Sequence, residues 1–360
     1  MNFLRALKKQ DWFLNLAIAA LALASLTIIF SASPALFWLQ LIWFGGAFLC
    51  IAVLAYIDWR AIVNYRWMIF GLYLITVSIL LLTLFFAPVI RQSRGWLVIG
   101  SFQFQPSELA KIVLIILLAY FFAKRHIGIA HFSNLFVSFI YCLIPALIIF
   151  RQPDWGSALI LVGLWIGFLL VSGMRWKHLA IGCFIAAAAL LLSWSFLLKD
   201  YQKERIIGFL RPNYDPLGVN YSVIQSKIAI GSAGFFGKGF LQGTQTQLKF
   251  LPESTTDFIF AAFIEEWGLL GGIFILAVFI FLIARIIKIG LNSEDNFSKL
   301  ICLGTVILLL LEFSFNVGSN IGFFPVIGMT FPFFSYGGSS LLTKALLISI
   351  IQSTVVRARL

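Results

Sequence analysis

The chain has 360 residues, of which 61% are hydrophobic and only 11% charged, and its mean hydropathy is +1.00. Soluble domains carry about 25% charged and 45–50% apolar residues, so this composition excludes a soluble enzyme, a nucleic-acid-binding domain and a disordered protein. The 26 Lys and Arg exceed the 14 Asp and Glu and give a net charge of +12. The positions of these cations decide their meaning, because basic residues collect on the cytoplasmic side of a membrane.

Long apolar segments follow one another along the chain. About ten of them approach the 20 residues that a helix needs to cross a bilayer, and their uniform apolarity favours helices over barrel strands. The first has a basic lead like a signal peptide, but the later spans favour an uncleaved helix. The predicted spans are 13–31, 36–57, 67–88, 108–123, 132–150, 157–173, 179–198, 258–286, 300–320 and 340–355. The sequence therefore predicts an all-α, polytopic integral membrane protein, with a single helical transmembrane domain over residues 1–360.

Basic residues mark alternate connections between these spans. They precede the first span and follow the second, fourth, sixth, eighth and tenth. By the positive-inside rule, both termini are predicted to be cytoplasmic and the connection between spans seven and eight to be extracytoplasmic. The basic residues assigned to the cytoplasmic side are Arg5, Lys8, Lys9, Arg60, Arg66, Lys124, Arg125, Arg175, Lys177, Arg285, Lys288, Lys299, Arg357 and Arg359. Much of the positive charge therefore reflects topology and not a nucleic-acid partner.

Residues 199–257 form one long polar connection between spans seven and eight. An extended connection in a compact membrane protein is usually functional. The stretches 200–210 and 219–230 are predicted to be short helices on the membrane surface. Pro212 is expected to stop the first of them and Gly231 the second.

A glycine-rich stretch follows in the same connection, with Gly231, Gly234, Gly237, Gly239 and Gly243. A phosphate-binding P-loop is excluded, because a glycine follows the lysine of this stretch where magnesium binding needs Ser or Thr. Two interpretations remain open. The stretch is either a tightly turned loop or a backbone that closely approaches, or moves over, a ligand.

Charged residues also lie within or at the ends of the apolar spans, where they are costly and usually face a cavity or a partner. They are Glu108, Lys111, Asp154, Glu265, Glu266, Glu312 and Lys344. Glu108 and Lys111 share one helix, which Ser107 is predicted to cap. They form either an ion pair that fixes the fold or a polar wall of a substrate cavity. The three histidines and four cysteines have no metal-binding or disulfide spacing.

Asp257 ends the long connection and opens the eighth predicted span. An acid in this place is favoured by the helix dipole whatever the function, so its position has a purely structural explanation. The functional alternative is a general base at the membrane surface, beside a connection that is rich in cations.

Several segments taken together carry a resemblance to a known family. They are RGW at 94–96, QPSELAK at 105–111, QPDWGS at 152–157, DYQ at 200–202, DPLG at 215–218, IQSKIAIGSAG at 224–234, GKG at 237–239, GTQTQ at 243–247, FLPE at 250–253, TDFIF at 256–260, EEWG at 265–268 and FPVIGMTFPFFSYGGSS at 324–340. With these segments the chain resembles the SEDS family (shape, elongation, division, sporulation), and its RodA-like branch more than its division branch. Trp155, Ala233 and Thr255 replace the leucine, glycine and histidine that are frequent in the family, so no histidine can assist Asp257 there.

The resemblance implies a peptidoglycan glycosyltransferase of the bacterial cytoplasmic (inner) membrane that polymerises lipid II with its active site outside. It also implies a class B penicillin-binding protein, a transpeptidase, as partner. The family's essential aspartate falls on Asp257. A sugar hydroxyl is a weak nucleophile, and a positioned base accelerates such a reaction by about 10²–10⁴-fold. A diphosphate leaving group needs its charge neutralised instead of a proton.

The chemistry assigns roles to further residues. Asp257 is the predicted base. The cations predicted to hold the diphosphate are Arg205, Arg211, Lys238 and Lys249. The residues predicted to line the cavity are Gln225, Glu108, Lys111 and Lys344. The lipid tail would stay among membrane lipids. A divalent cation, Mg²⁺ or Mn²⁺, could share the neutralising role, which the sequence leaves open.

Three other functions stay open at the level of the sequence. A lipid II flippase would use the intramembrane charges as a polar path without any chemistry. An ion-coupled transporter would need inverted repeats with paired broken helices, and the sequence displays no such pair. A scaffold for the penicillin-binding protein would work without the carboxylate of Asp257.

Overall fold

The computed structural model describes residues 7–59, 65–90, 93–99, 102–125, 132–171, 200–211 and 214–358. Helices form most of these ranges, and a short antiparallel hairpin, β1 (Leu97–Ile99) and β2 (Phe102–Phe104), pairs Val98 with Gln103. The helices are α1 (Trp12–Ala32), α2 (Pro34–Leu54), α3 (Arg66–Phe86), α4 (Pro106–Ala123), α5 (Phe132–Arg151), α6 (Trp155–Val171), α7 (Asp200–Leu210), α8 (Tyr221–Ser232), α9 (Thr244–Gln247), α10 (Ile259–Leu291), α11 (Asn296–Ile321) and α12 (Gly338–Ala358).

The membrane-spanning prediction is confirmed. Among the described residues, eight helices are long and apolar enough to cross a bilayer, and α6 is a shorter apolar helix. Each coincides with a predicted span to within a few residues, and α10 and α11 extend beyond theirs. The predicted span 179–198 lies outside the described residues. The two surface helices predicted in the long connection correspond to α7 and α8.

Helix starts follow local capping chemistry, with one correction. Asp11 caps α1 by accepting a hydrogen bond of 3.0 Å from the backbone N–H of Leu14. The prediction that Ser107 caps α4 is wrong, because α4 already begins at Pro106. Proline fits the first helical position, where its missing N–H costs nothing. The Ser107 hydroxyl instead lies 3.1 Å from Asp154 at the start of α6.

Two helices occupy the centre of the bundle. In the apolar windows of α4 and α12, 83% of the residues are buried, against 22% in α2 and 28% in α3. α12 packs against α2, while α4 packs between α3 and α11, and α10 packs against both α11 and α1. The central helices therefore contact protein on most sides, whereas α2 and α3 leave apolar faces for lipid.

Polar contacts between helix ends define one face of the bundle. Arg285, near the end of α10, forms a bidentate ion pair with Asp11 at the start of α1. At the end of α12, Arg357 lies 3.0 Å from Asp58, which follows α2. Gln352 of α12 also accepts a hydrogen bond from the Asp11 N–H at 2.8 Å. The described ends of the chain therefore meet at this face, and α7, α8 and α9 lie at the opposite one.

Helix α10 is broken at Gly268, whose φ of 73° and ψ of −174° are not helical. The glycine-rich loop fills the break with its backbone. The N–H groups of Lys238 and Gly239 donate to the carbonyls of Glu265 and Glu266 at 2.9 and 3.0 Å. Leu269 N–H in turn donates to the loop at 3.1 Å. The backbone groups that the break exposes are therefore satisfied by the protein itself.

Glycine is required on both sides of this contact. A Cβ added to Gly237 would lie 2.2 Å from the Glu266 carbonyl oxygen, and one added to Gly268 would lie 2.3 Å from the Gly237 nitrogen. Of the two interpretations of the glycine-rich stretch, the tightly turned loop describes this part of it. The prediction that Gly231 ends its helix is wrong. α8 continues to Ser232, and the first left-handed residue after it is Gly234, with φ of 64°.

Candidate active site

Asp257 lies two residues before the start of α10, at the face opposite the Asp11–Arg285 ion pair, and its side chain is partly exposed. Two amides of α11 hold its backbone carbonyl. Asn316 Nδ2 donates to it at 3.0 Å and Asn320 Nδ2 at 2.8 Å. Asn320 Oδ1 also accepts from the Ala261 N–H at 3.0 Å. α11 therefore fixes both the residue itself and the first turn of the helix that follows it.

The loop 322–337, between α11 and α12, closes around the same residue. The Ser335 hydroxyl donates to the Thr256 carbonyl at 2.6 Å, and the Tyr336 N–H donates to the Thr255 carbonyl at 2.9 Å. Gly328 of this loop lies beside the Asp257 side chain, since a Cβ added there would be 3.8 Å from Asp257 Oδ2. Burial raises the pKa of the Tyr336 hydroxyl. These contacts hold the backbone that leads into Asp257.

The charges of the spans come together in one buried network, which we call the central tetrad: Glu108, Lys111, Glu312 and Lys344. Lys111 Nζ lies 2.7 Å from Glu108 and 2.8 Å from Glu312. Lys344 Nζ lies 2.9 Å from Glu312 and 3.9 Å from Glu108. Their side chains are between 0% and 9% exposed. Two carboxylates and two ammonium groups balance in charge and tie α4, α11 and α12 together.

The tetrad shows the first of the two arrangements considered for Glu108 and Lys111. Their ion pair exists, and two residues of other helices complete it. Lys344 also donates to the Ser340 hydroxyl on its own helix. The charges are compensated within the protein, as the cost of charge at membrane depth requires. The predicted role of Glu108, Lys111 and Lys344 in lining a substrate cavity stays a prediction.

The predicted diphosphate-binding cations fall into two groups. Lys238 Nζ forms a 2.8 Å ion pair with Glu265, which is fully buried. Glu265 also accepts four hydrogen bonds from α9, two from the N–H groups of Gln245 and Thr246 and two from the hydroxyls of Thr244 and Thr246. The Lys238 ammonium group is thus bound within the fold. Arg205, Arg211 and Lys249 are exposed. Arg205 Nη1 donates to the Val326 carbonyl of the 322–337 loop at 3.3 Å.

Gln225 lies on α8, near the C-terminal end of α11. Its side chain is partly buried. The next residue, Ser226, donates its hydroxyl to the Asn320 carbonyl at 2.8 Å. Asn320 and Ser226 were not predicted as site residues. The spacing of four between Glu312, Asn316 and Asn320, which puts all three on one stripe of an apolar helix, was the signal that could have found Asn320.

Comparison with known proteins identifies the family. The profile of the FtsW, RodA and SpoVE proteins, described as cell cycle proteins, matches residues 9–359. This protein belongs to that family. The peptidoglycan glycosyltransferase MrdB of Escherichia coli K12 is 38% identical over 284 residues, which cover 78% of this chain and 76% of MrdB. MrdB of Helicobacter pylori J99 is 38% identical over 345 residues, which cover 93% and 87% of the two chains.

Solved structures of family members have the same fold. A chain of a peptidoglycan synthase complex that coordinates polymerization and crosslinking superposes with a TM-score of 0.83 at 32% identity, and covers 97% of this chain and 98% of its own. The rod shape determining protein RodA of Thermus thermophilus superposes with a TM-score of 0.73 at 28% identity, and 97% of each chain is covered. The SEDS resemblance and the all-α membrane fold are thus confirmed for this family member.

Within the described residues, no group of three or more His, Cys, Asp and Glu side chains is arranged to hold a metal ion. A divalent cation bound at Asp257 would therefore take most of its ligands from substrate oxygens or water. Mg²⁺ commonly binds in this manner, through one or two carboxylates and phosphate oxygens. A shared role for Mg²⁺ or Mn²⁺ stays a prediction.

Proposed function

We propose that this protein is a peptidoglycan glycosyltransferase that polymerises lipid II for cell elongation and shape, with Asp257 as its general base. One observation carries the proposal. A carboxylate stands at the loop-bearing face of a membrane domain, and its backbone is clamped by two amides of α11. Relatives with 38% identity over most of their length are named peptidoglycan glycosyltransferases.

The reaction needs one base and one neutralised leaving group. Asp257 takes the proton from the 4-hydroxyl of the acceptor sugar. As it does so, the oxygen of that hydroxyl bonds to the anomeric carbon of the donor. The bond between that carbon and the diphosphate breaks, and its electron pair leaves with the polyprenyl diphosphate. A single displacement inverts the anomeric carbon. Glycosidases need a second carboxyl group to protonate the leaving group, whereas a diphosphate leaves unprotonated when cations neutralise it.

The exposed cations are suited to this neutralising role. Arg205 and Arg211 carry planar guanidinium groups that can bind two phosphate oxygens at once, and Lys249 adds a point charge. Lys238 differs from them, because its ammonium group pairs with Glu265 and holds the loop beside the site. Its contribution to the reaction is positional. Mg²⁺ or Mn²⁺, where bound, would supply additional neutralisation of the diphosphate.

The orientation follows the distribution of charge. Arg285 and Arg357 lie at the face where the described chain ends meet, and Asp257 lies at the opposite face. The positive-inside rule then puts both termini in the cytoplasm and Asp257 outside the cytoplasmic membrane. The sugar-bearing headgroup of lipid II would meet Asp257 there while its tail stays in the bilayer. A class B penicillin-binding protein is the expected partner, in keeping with the synthase complex above.

Purified full-length protein incubated with lipid II tests the proposal. Wild-type protein is expected to make glycan strands longer than one disaccharide, and Asp257→Asn is expected to lower the rate by about 10²–10⁴-fold with an unchanged melting temperature. Glu253→Gln, an exposed acid in the same loop, is the matched control and should keep most of the activity.

The same variants, assayed also in vesicles and with the transpeptidase, separate a glycosyltransferase from a flippase and from a scaffold. Strands formed at the wild-type rate by Asp257→Asn would contradict the assignment of the base. Movement of lipid II across vesicles without strand formation would indicate a flippase. Normal support of the transpeptidase by an inactive Asp257→Asn protein would indicate a scaffold.

A further inference from the structure

A pocket of about 140 Å³ lies between α7, α8 and the loop 322–337, and we call it the α7–α8 pocket. Its lining combines apolar side chains, among them Phe209 and Phe324, with the polar Asn220 and two cations, Arg205 and Lys227. Lys227 is not among the residues to which the sequence assigned a role. The combination of apolar walls with two positive charges is suited to an anion that carries an apolar chain.

Both cations keep charge available to the pocket. Arg205 donates one N–H to the Val326 carbonyl at 3.3 Å, which leaves most of its planar fork unused by that contact. Lys227 extends over Gly322, since a Cβ added to that glycine would lie 2.5 Å from Lys227 Nζ. Among the described residues, neither cation forms an ion pair with a carboxylate. Lys238, by contrast, is neutralised by Glu265.

The α7–α8 pocket borders the candidate base without including it. Asn320 accepts from Ser226, the neighbour of Lys227 on α8, and donates to the Asp257 carbonyl, both at 2.8 Å. On the other side, the loop runs from Val326 at the pocket to Gly328 beside the Asp257 carboxylate. One residue of α11 and a few residues of loop therefore separate the two.

We propose that the α7–α8 pocket is the subsite for the diphosphate of a polyprenyl diphosphate, with Lys227 as its second cation beside Arg205. The inference rests on the proposed function and names where the leaving group is held. In a single displacement the leaving group departs from the side opposite the nucleophile, so it should lie near the base without touching it. Direct contact would also bring a carboxylate against a diphosphate, and like charges repel.

Lys227 has a competing structural explanation that the experiment must separate. An ammonium group over Gly322 lies at the C-terminal end of α11, where a cation is favoured by the helix dipole. If this were its whole role, loss of the charge would lower thermal stability and leave ligand affinity unchanged. A binding role predicts the reverse, and Lys227→Arg should then retain affinity because it keeps the charge.

The experiment measures binding of farnesyl diphosphate, a short polyprenyl diphosphate, to the purified full chain by calorimetry. Lys227→Met is expected to raise its Kd at least about tenfold, the usual size of one charge-assisted hydrogen bond. Lys203→Met removes the same charge from α7 at a residue that does not line the pocket, and it should bind like wild type. In buffer free of divalent cations, Asp257→Ala should also keep its affinity, because Asp257 does not line the pocket. Farnesol should not bind, and inorganic pyrophosphate should bind more weakly than farnesyl diphosphate.

Four results would overturn the subsite: no binding by wild-type protein, equal affinity in Lys227→Met, equal loss in Lys203→Met, or equal affinity for pyrophosphate, which would mark a site for free phosphates. Failure of the subsite and of the proposed function are distinguishable. If wild-type protein polymerises lipid II and Lys227→Met binds farnesyl diphosphate as tightly as wild type, only the subsite is rejected. If binding of farnesyl diphosphate depends on Lys227 but wild-type protein does not polymerise lipid II, only the proposed function is rejected.

Discussion

Removal of one charge from the central tetrad tests the electrostatic basis of the fold. Glu312 lies 2.8 Å from Lys111 Nζ and 2.9 Å from Lys344 Nζ, and its side chain is fully buried. At an effective dielectric of 20, each contact is worth about 6 kcal/mol before desolvation is subtracted. Glu312→Gln keeps the shape but leaves two ammonium groups to share Glu108. The loss of one partner from a buried ion pair costs about 3–5 kcal/mol, which is the destabilisation we expect.

The assay is unfolding of the purified protein in detergent, followed by heat or denaturant. The matched control is the double variant Glu312→Gln/Lys344→Met, which restores equal numbers of positive and negative charges. It should recover part of the loss, so that a double-mutant cycle gives a coupling energy between the two sites of about 1–3 kcal/mol. A Glu312→Gln protein as stable as wild type would refute the ion-pair network. A double variant no more stable than the sum of its parts would refute the charge balance.

Three more predictions concern the glycine-rich loop, the Lys238–Glu265 ion pair and the amides that hold the Asp257 carbonyl. Gly237→Ala should destabilise by more than about 2 kcal/mol, because its Cβ would strike backbone atoms, whereas Gly231→Ala, with open space around it, should be neutral or slightly stabilising in thermal melts. Lys238→Met should lower stability by about 1–3 kcal/mol and leave farnesyl diphosphate affinity unchanged; a loss of affinity would return Lys238 to the binding site. Asn320→Leu, which removes the donor to the Asp257 carbonyl without adding a charge, should lower kcat about tenfold with KM and the pH profile unchanged, and a shifted pH profile would contradict its positioning role.

The spans could be read from the sequence because the bilayer imposes one length and one composition on every helix. The predicted spans 67–88 and 300–320 correspond to α3 and α11 to within a few residues. The break in α10 could not be predicted from length and composition. Gly268 lies in a continuous apolar run, and its non-helical backbone is stable because a distant loop supplies hydrogen bonds to the exposed groups. The sequence contains both Gly237 and Gly268, but it does not show that the two come into contact.

The site was predicted in part. Asp257 was identified by a resemblance in its motif and by its place before an apolar span. The pair of Glu108 and Lys111 followed from helical spacing. Their pairing with Glu312 and Lys344 did not, since residues on three helices meet only after the bundle has packed. For the same reason Lys238 was predicted to bind diphosphate, although its ammonium group pairs with a carboxylate 27 residues further along the chain.

Helix α11 connects the buried charges to the candidate site. Glu312 joins the tetrad, Asn316 and Asn320 hold the Asp257 carbonyl, and each lies one turn beyond the last. A change in the tetrad that shifts α11 should therefore displace the base without touching it. Glu312→Gln protein that remains folded below its melting temperature should then polymerise more slowly and still bind farnesyl diphosphate. This separation of rate from affinity would distinguish a tetrad that positions Asp257 from one that lines a substrate cavity, because loss of a lining residue weakens binding as well.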